Sequence, residues 1–400
     1  MASAMDTASA SAPAAAFDWD RLAACHRQGR PVCLPVTPLW PVASAHRLAI
    51  AIARPSRAGI RFFAVPAVRF FAGNAEIRAP GARLPDERDD SPQAYLRRLR
   101  HDCPDVPAWL EIESPLVADA AAWGHVRDFL WGWCERLGCP TRPVTAYLLL
   151  GRYRRDVATH GVATLIVPLL GRVMVRPAAG GDAQLAGPGQ VLYRPPGEGM
   201  EAADAAGCVA LRLEIPVQRT ASARELVELF ASLVQPEVHP EGGVPALPSV
   251  PAVAADGAVA LPDALARGVE ALGGFVAGPT AELAHRVQWL ARASACALEP
   301  APGCAKAPVL SPADSIRAVP GARILETAAG EGTWLWAVNG HTLAVDATPA
   351  SGALRGALAR GGASTVAALC GSDPALRAAL AQLCAARGVV REAADVAGGH

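Results

Sequence analysis

Few residues of this chain could do chemistry, and one short run holds most of them. Arg152, Arg154, Asp156 and His160 alternate along a stretch that reads as extended, and strand alternation would turn all four toward one face. Two guanidinium groups, a carboxylate and an imidazole on one face could bind an anion or a peptide. Arg154 and Asp156 would equally make a rim ion pair of little consequence. His160, alone among small and apolar neighbours, reads first as a hydrogen-bonded interior histidine and only second as a ligand. His101, Asp102 and Cys103 set base and nucleophile types side by side, but sequence neighbours on a loop seldom meet productively, and no oxyanion device is visible. The chain has no G-x-S-x-G elbow, no phosphate loop and no G-x-G-x-x-G after a strand. Ten cysteines are scattered without a C-x-x-C pair, which argues against a zinc module and for small thiols in a reducing compartment.

The element that must position these residues is Thr145 to Pro216. Two runs of β-branched and aliphatic residues, broken by Gly/Pro turns, predict paired strands of a barrel whose open end would hold any site. Upstream, Asp18 to Gln28 reads as a short helix and GRPVCLPV as a turn into a strand, while Ile60–Phe63 and Val68–Phe71 predict two more strands. Ser91-Pro92 is a helix start, with Tyr95, Leu96 and Leu99 on one face and Pro104 beyond the end. A second helix, from about Leu116 to Leu137, carries Trp123, Phe129, Trp131 and Trp133, an aromatic stripe that reads as core.

Downstream of the barrel, Ser222 to Gln235 returns to helical periodicity, and Pro236 to Leu261 reads as a linker. Thr280 to Leu298 predicts a helix with Leu283, Val287 and Leu290 on one face and Trp289 off that stripe, as a contact surface would place it. TWLWAVNGHTLAV is a hairpin turning at Asn339-Gly340. Three short helices at Ser351–Arg360, Ser364–Cys370 and Asp373–Arg387, then Val389-Val390-Arg391, follow the order of a winged helix. The third helix offers phosphates only Arg377 and Arg387, so it predicts packing or protein contact and not a nucleic-acid interface.

Thirty-seven basic residues balance thirty-seven acidic ones, so net charge announces neither nucleic acid nor an anionic membrane as partner. Four hundred residues imply two or three domains. The first sixteen residues lack a basic n-region and carry Asp6 before any apolar run, which predicts a loose tail and a cytoplasmic protein. No uncharged apolar segment reaches membrane-spanning length.

Gly189, Pro195 and Gly197 keep the spacing of a second cupin motif, with Met200 where its histidine belongs. Working back from Gly171, the first cupin motif falls on Ala158, His160 and Thr164. With GRPVCLPV, SPQAYLRRLR and GHTLAVDATPASGALRGALARGGASTVAAL in the same order, the chain resembles the JmjC-type cupins of the bacterial ribosomal-oxygenase kind. That resemblance implies an iron- and 2-oxoglutarate-dependent protein hydroxylase with a cupin core, a helical dimerisation region and a C-terminal winged helix.

The ligand positions depart from the family. Ala158 offers no ligand atom, Met200 offers a thioether, His160 occupies the carboxylate position, and Val173 stands where many relatives carry a lysine for 2-oxoglutarate. The expected fold is therefore α+β: a double-stranded β-helix over 17–218 behind a tail of 1–16, a helical region over 219–300 and a winged-helix domain over 301–400. The expected function is non-catalytic binding of a protein or peptide by a homodimer, with no cofactor, no membrane and no nucleic acid. Ala158, His160 and Met200 would mark the former metal pocket, and Arg152, Arg154, Asp156 and Val173 a ligand face. Two alternatives stay open. One is an active Fe(II)/2-oxoglutarate hydroxylase whose ligands are Asp156, His160 and His125 or His239; the other is a winged-helix DNA-binding regulator with a cupin sensor.

Overall fold

The computed structural model describes residues 17–59, 66–159, 161–178, 182–217, 269–270, 273–274, 278–304 and 306–392. The chain divides into two compact units, one of residues 1–217 with 295–302 and one of residues 218–294 with 303–400.

The first unit runs α1 (Trp19–Arg27), β1 (Val32–Pro35), α2 (Val42–Arg57), β2 (Ala67–Ala72), β3 (Ala75–Glu76), α3 (Pro92–Asp102), β4 (Ala108–Glu113) and α4 (Ala120–Leu137). It continues through β5 (Thr145–Gly151), β6 (Arg154–Thr159), β7 (Val162–Leu170), β8 (Val173–Pro177), β9 (Gln184–Ala186), β10 (Gln190–Arg194), β11 (Gly197–Ala203) and β12 (Cys208–Pro216). Side-chain caps set the helix starts. Asp18 accepts from Arg21 N, Ser91 from Ala94 N ahead of Pro92, and Asp119 from Ala121 N and Ala122 N. The Asp119 cap is why the aromatic helix begins at Ala120 and not at Leu116, which lies in a short 3-10 turn. Helix α2 was not expected from the sequence. Its buried face is Ala45, His46, Ala49 and Ala53, and small alanines carry little of the hydrophobic signal that marks a helix.

The strands form two facing sheets. The larger has the order β1-β10-β7-β12-β5-β4-β2-β3, the smaller β6-β11-β8-β9, and every pairing is antiparallel. One face of the larger sheet buries Leu110, Leu148, Leu150, Leu165, Leu211 and Leu213 with the helices. The opposite face turns Trp109, Leu149, Ile166, Leu192 and Ala210 toward Val173 and Val175 of the smaller sheet, forming the barrel interior. At the end of β5, Gly151 has φ +141°, and a Cβ there would lie 2.3 Å from Ala108 O, so only glycine lets β5 pass so close to β4. Residues 295–302 complete this unit: Ala297 O accepts from Val144 N at 2.7 Å, Glu299 O from Trp123 Nε1 at 2.8 Å, and Cys296 and Leu298 join the helix-side core.

The second unit contains α5 (Pro279–Ser294), β13 (Ser315–Ala318), β14 (Leu325–Gly330), β15 (Thr333–Val338), β16 (His341–Asp346), α6 (Pro349–Arg360), β17 (Ala363–Thr365), α7 (Val366–Cys370), α8 (Pro374–Ala385) and β18 (Val389–Arg391). The hairpin turns where the sequence predicted, with Asn339 at φ 55° and Gly340 at φ 87°. A third strand, β14, extends it, and β17-β13-β18 form a separate sheet. Trp289 is exposed on α5 while Leu290 is buried, as the periodicity implied, but Leu283, expected on the same face as Leu290, is exposed too. The strand expected at Ile60–Phe63, the helix at Ser222–Gln235 and the linker at Pro236–Leu261 lie outside the described residues. Among the described residues no helix is long and apolar enough to cross a membrane.

Candidate binding site in the barrel

Sheet register decides which side chains the barrel holds. On the paired strands β6 and β11, Arg155 faces Glu201, Val157 faces Gly199 and Thr159 faces Gly197. Opposed residues share a face, and Glu201 is fully buried opposite Val175 of β8, so this odd-numbered set points into the barrel. The even-numbered set points out. Ala158 pairs with Glu198 and Asp156 with Met200, itself opposite Arg176, and together they line a shallow outer depression of about 420 Å³.

The positions that the sequence assigned to a former metal pocket are thus redistributed. Ala158 is exposed and Met200 half-buried, both on the outer face of the smaller sheet, because a shift of one residue turns a strand inside out. His160 lies outside the described residues. Arg154 and Asp156 are exposed on the outer face as well. Arg152 instead donates to Pro104 O at 3.1 Å and Val106 O at 2.9 Å, tying down the loop after α3. Val173 does point inward and is fully buried, at the apolar end with Ala186, Val175 and Cys208. His125 is exposed on α4 and Asp156 faces outward, while the other members of the alternative ligand set, His160 and His239, lie outside the described residues. His101 and Asp102 are exposed while Cys103 is buried, and Asp102 pairs with Arg98 at 3.7 Å. Among the described residues, no group of three or more His, Cys, Asp or Glu is arranged to hold a metal ion.

The interior holds a polar cluster that the sequence did not single out. Arg194, at the end of β10, is 4% exposed. Its Nη1 donates to Thr159 Oγ1 and its Nη2 to Thr164 Oγ1, both at 2.8 Å, and Nη1 approaches Gly197 O at 3.5 Å. Its Nε is buried without a partner. Burial lowers the pKa of Arg194; Glu201 opposes that shift and Arg155 adds to it, so the three charges sense one another. Arg155 donates from Nη1 to Glu111 at 3.2 Å, while its Nε and Nη2 are buried and unpartnered. Glu111 is shared, since Arg69 also approaches it at 3.5 Å. Tyr153 Oη donates to Glu201 Oε1 at 2.9 Å, leaving Glu201 Oε2 without a donor. Burial first, and the Glu201 charge second, push the Tyr153 hydroxyl well above its ordinary value, so it remains a donor.

Buried polar groups are almost always paired. Three guanidinium nitrogens and one carboxylate oxygen inside the barrel are buried without a protein partner. Three donors against one acceptor suit an anionic oxygen ligand. A clue was available in the sequence: a charged residue closes the apolar run VLYR, a position where burial leaves it inside and not in water.

Two facing antiparallel sheets with a helix layer on the larger have the architecture of a double-stranded β-helix. Solved structures agree. The chain is similar to YcfD, a ribosomal oxygenase from Escherichia coli, at 17% identity and TM-score 0.51, covering 94% of this chain and 99% of that one. It is also similar to YcfD in complex with cobalt and 2-oxoglutarate (18%, TM-score 0.52, 94% and 99%) and with cobalt and succinic acid (16%, TM-score 0.50, 94% and 99%). No protein-family model matches the sequence, and no curated protein matches it. The complexes overturn the expectation that no cofactor is implied, because the solved structures sharing this fold were obtained with a metal and a small dicarboxylate.

Proposed function

We propose that this JmjC-like cupin acts by binding a protein or peptide and not by oxidising it, with its barrel kept as a holder for a small carboxylate such as 2-oxoglutarate. The observation that carries the reading is the composition of the inward positions on β6 and β11. Among the described residues of these two strands the inward set supplies one carboxylate, Glu201, and no imidazole, whereas a non-haem iron site requires two imidazoles beside a carboxylate. A metal therefore does not fit the described residues, whereas a carboxylate fits the unpartnered donors of Arg155 and Arg194. With Fe(II), ascorbate, 2-oxoglutarate and peptide substrates supplied, the expected outcome is no succinate above a protein-free control. Iron-dependent succinate release would overturn the proposal.

The C-terminal unit is read as a winged helix used for protein contact. The succession α6, β17, α7, α8, β18 supports it, as does the near absence of basic residues on α8, where the Nε of Arg377 is buried. Salt-dependent binding of duplex DNA would argue against a contact role. A homodimer formed through residues 219–300 is the expected assembly, tested by sedimentation equilibrium.

A further inference from the structure

We infer that Cys304 and Cys384 form a thiol–disulfide exchange site, one that takes a small organic disulfide at Cys304 and resolves it into a Cys304–Cys384 bond. The site belongs to the second unit and works whatever the barrel binds.

Of the ten cysteines, four are buried, five are half-buried and Cys304 alone is exposed, so it is the thiol that an external reagent meets first. The chain reaches it one residue after entering the second unit at Gly303. There it is fastened to the end of α8: Cys304 N donates to Ala385 O at 2.9 Å, and Cys384 is the residue before. A disulfide needs Cα atoms about 4.4–6.8 Å apart, and a backbone hydrogen bond brings two chain segments to about that separation.

The hairpin of β15 and β16 holds both segments in place. Asn339 Nδ2 donates to Ala386 O at 3.0 Å and to Arg387 O at 2.9 Å, which fixes the end of α8. A Cβ built on Gly303 would lie 3.4 Å from Ala385 O and 3.6 Å from His341 Cε1, so the imidazole at the start of β16 borders the approach to Cys304.

The two thiols differ in the way that ordered exchange requires. Burial, and next the charge on Cys304, push Cys384 up to about 11, with Arg391 opposing the shift and Asp314 adding to it. Cys384 therefore stays a thiol while Cys304 meets the reagent. Once Cys304 is joined to sulfur its charge is gone, and with it that part of the barrier to ionising Cys384. The Cys304 thiolate attacks one sulfur of R–S–S–R, forming Cys304–S–S–R and releasing one thiolate. The Cys384 thiolate then attacks Cys304 Sγ and expels the second. Each thiolate released takes up the proton that the attacking cysteine lost to solvent, so two protein thiols are oxidised and one disulfide is reduced to two thiols. In a reducing compartment such a bond is transient, as redox-sensing disulfides are. While present it closes a loop over β13 through α8 and restrains opening of the second unit.

Tryptic mapping of the native full-length protein after treatment with glutathione disulfide at pH 8 tests this, with remaining thiols alkylated before digestion. The wild type should join peptide 293–306 to peptide 378–387. Peptide 293–306 also carries Cys296, so Cys304→Ser must abolish the link. Cys384→Ser should stop at a stable glutathione adduct on Cys304. Cys384 in the Cys304→Ser protein should take up glutathione at least ~10-fold more slowly than Cys304 in the Cys384→Ser protein, as its burial and raised pKa require. A lasting adduct on Cys304 of the wild type would overturn the inference, as would equal rates in the two variants, a link that survives Cys304→Ser, or no reaction at either cysteine. The wild-type outcome decides the matter alone where a variant fails to fold.

Discussion

Replacing Arg194 by methionine separates a ligand-holding arginine from a structural one, because the two roles predict opposite changes in stability. The wild-type side chain makes two hydrogen bonds to threonine hydroxyls at 2.8 Å. As charge-assisted bonds these are worth roughly 1.5–3 kcal/mol each. Against them stands the desolvation of a guanidinium that is 4% exposed and has an unpartnered Nε, a penalty of about several kcal/mol per buried ion. Methionine replaces most of the lost volume, and the Thr159 hydroxyl already has Val162 O as an alternative partner at 3.2 Å. The terms cancel to within about 2 kcal/mol, and replacing buried ionic groups by apolar ones of similar volume tends toward stabilisation. The expected result, followed by circular dichroism on ligand-free protein, is a melting temperature unchanged or raised by up to about 8 °C. Saturating succinate should then raise the melting point of the wild type and not of the variant. A fall of more than about 8 °C in the ligand-free variant would show that Arg194 holds the barrel together, and the reasoning from unpartnered atoms would be refuted.

Gly151→Val forces a branched side chain onto φ +141° and into Ala108 O at 2.3 Å, so a loss of at least about 3 kcal/mol is expected by urea denaturation; wild-type stability would contradict the close approach of β5 to β4. Asp86 is held at about 2 chiefly by its hydrogen bonds from Arg88, so it contributes stability above pH 4 that is lost as pH falls toward 2. Arg88 is largely exposed, so screening makes that contribution small, and Arg88→Ala, which keeps the backbone N–H and Arg57 beside Asp86, should reduce the slope of the acid limb of a stability-pH profile without abolishing it. With a thiol-specific disulfide reagent at pH 8, Cys304, which is exposed, should react first. Cys134, where the hydrogen bond with Cys139 lowers the pKa but Cys296 and burial push it up to about 12, should remain unmodified until the protein unfolds.

The barrel was legible because its strands are long β-branched runs punctuated by Gly and Pro, and the N-G hairpin because its turn needs two positive φ angles. Helix α2 was not, since an Ala45/Ala49/Ala53 face looks like compositional bias until it is seen against a sheet. Ala158 and Met200, expected in a pocket, lie on the outer face of the smaller sheet. Glycine and proline landmarks fix where a motif lies along the chain, but they do not fix which face of a strand it presents, and with a side-chain period of two the inner face of β6 and β11 carries Val157, Thr159 and Glu201 and not Ala158 and Met200. Arg194 and Glu201 were overlooked because a charged residue at a strand end ordinarily reads as solvated. Their partners, Thr164 and Tyr153, come from distant parts of the chain, and no local pattern links them.

Residues 295–302 belong to the barrel unit although the chain has left it at Val217. On a ribosome, all the strands of the barrel would emerge first, yet Trp123 Nε1 and Val144 N would wait for their carbonyl partners until Glu299 and Ala297 were made. At about 5–20 residues per second, that leaves the helix layer unfinished for several seconds, long enough for an open hydrophobic seam to recruit a chaperone. The same seam tells where the gene can be cut: a fragment ending at Val217 would lack a piece of its own core, whereas one that carries residues 295–302 on a short linker would be the smallest unit with every helix-side contact restored.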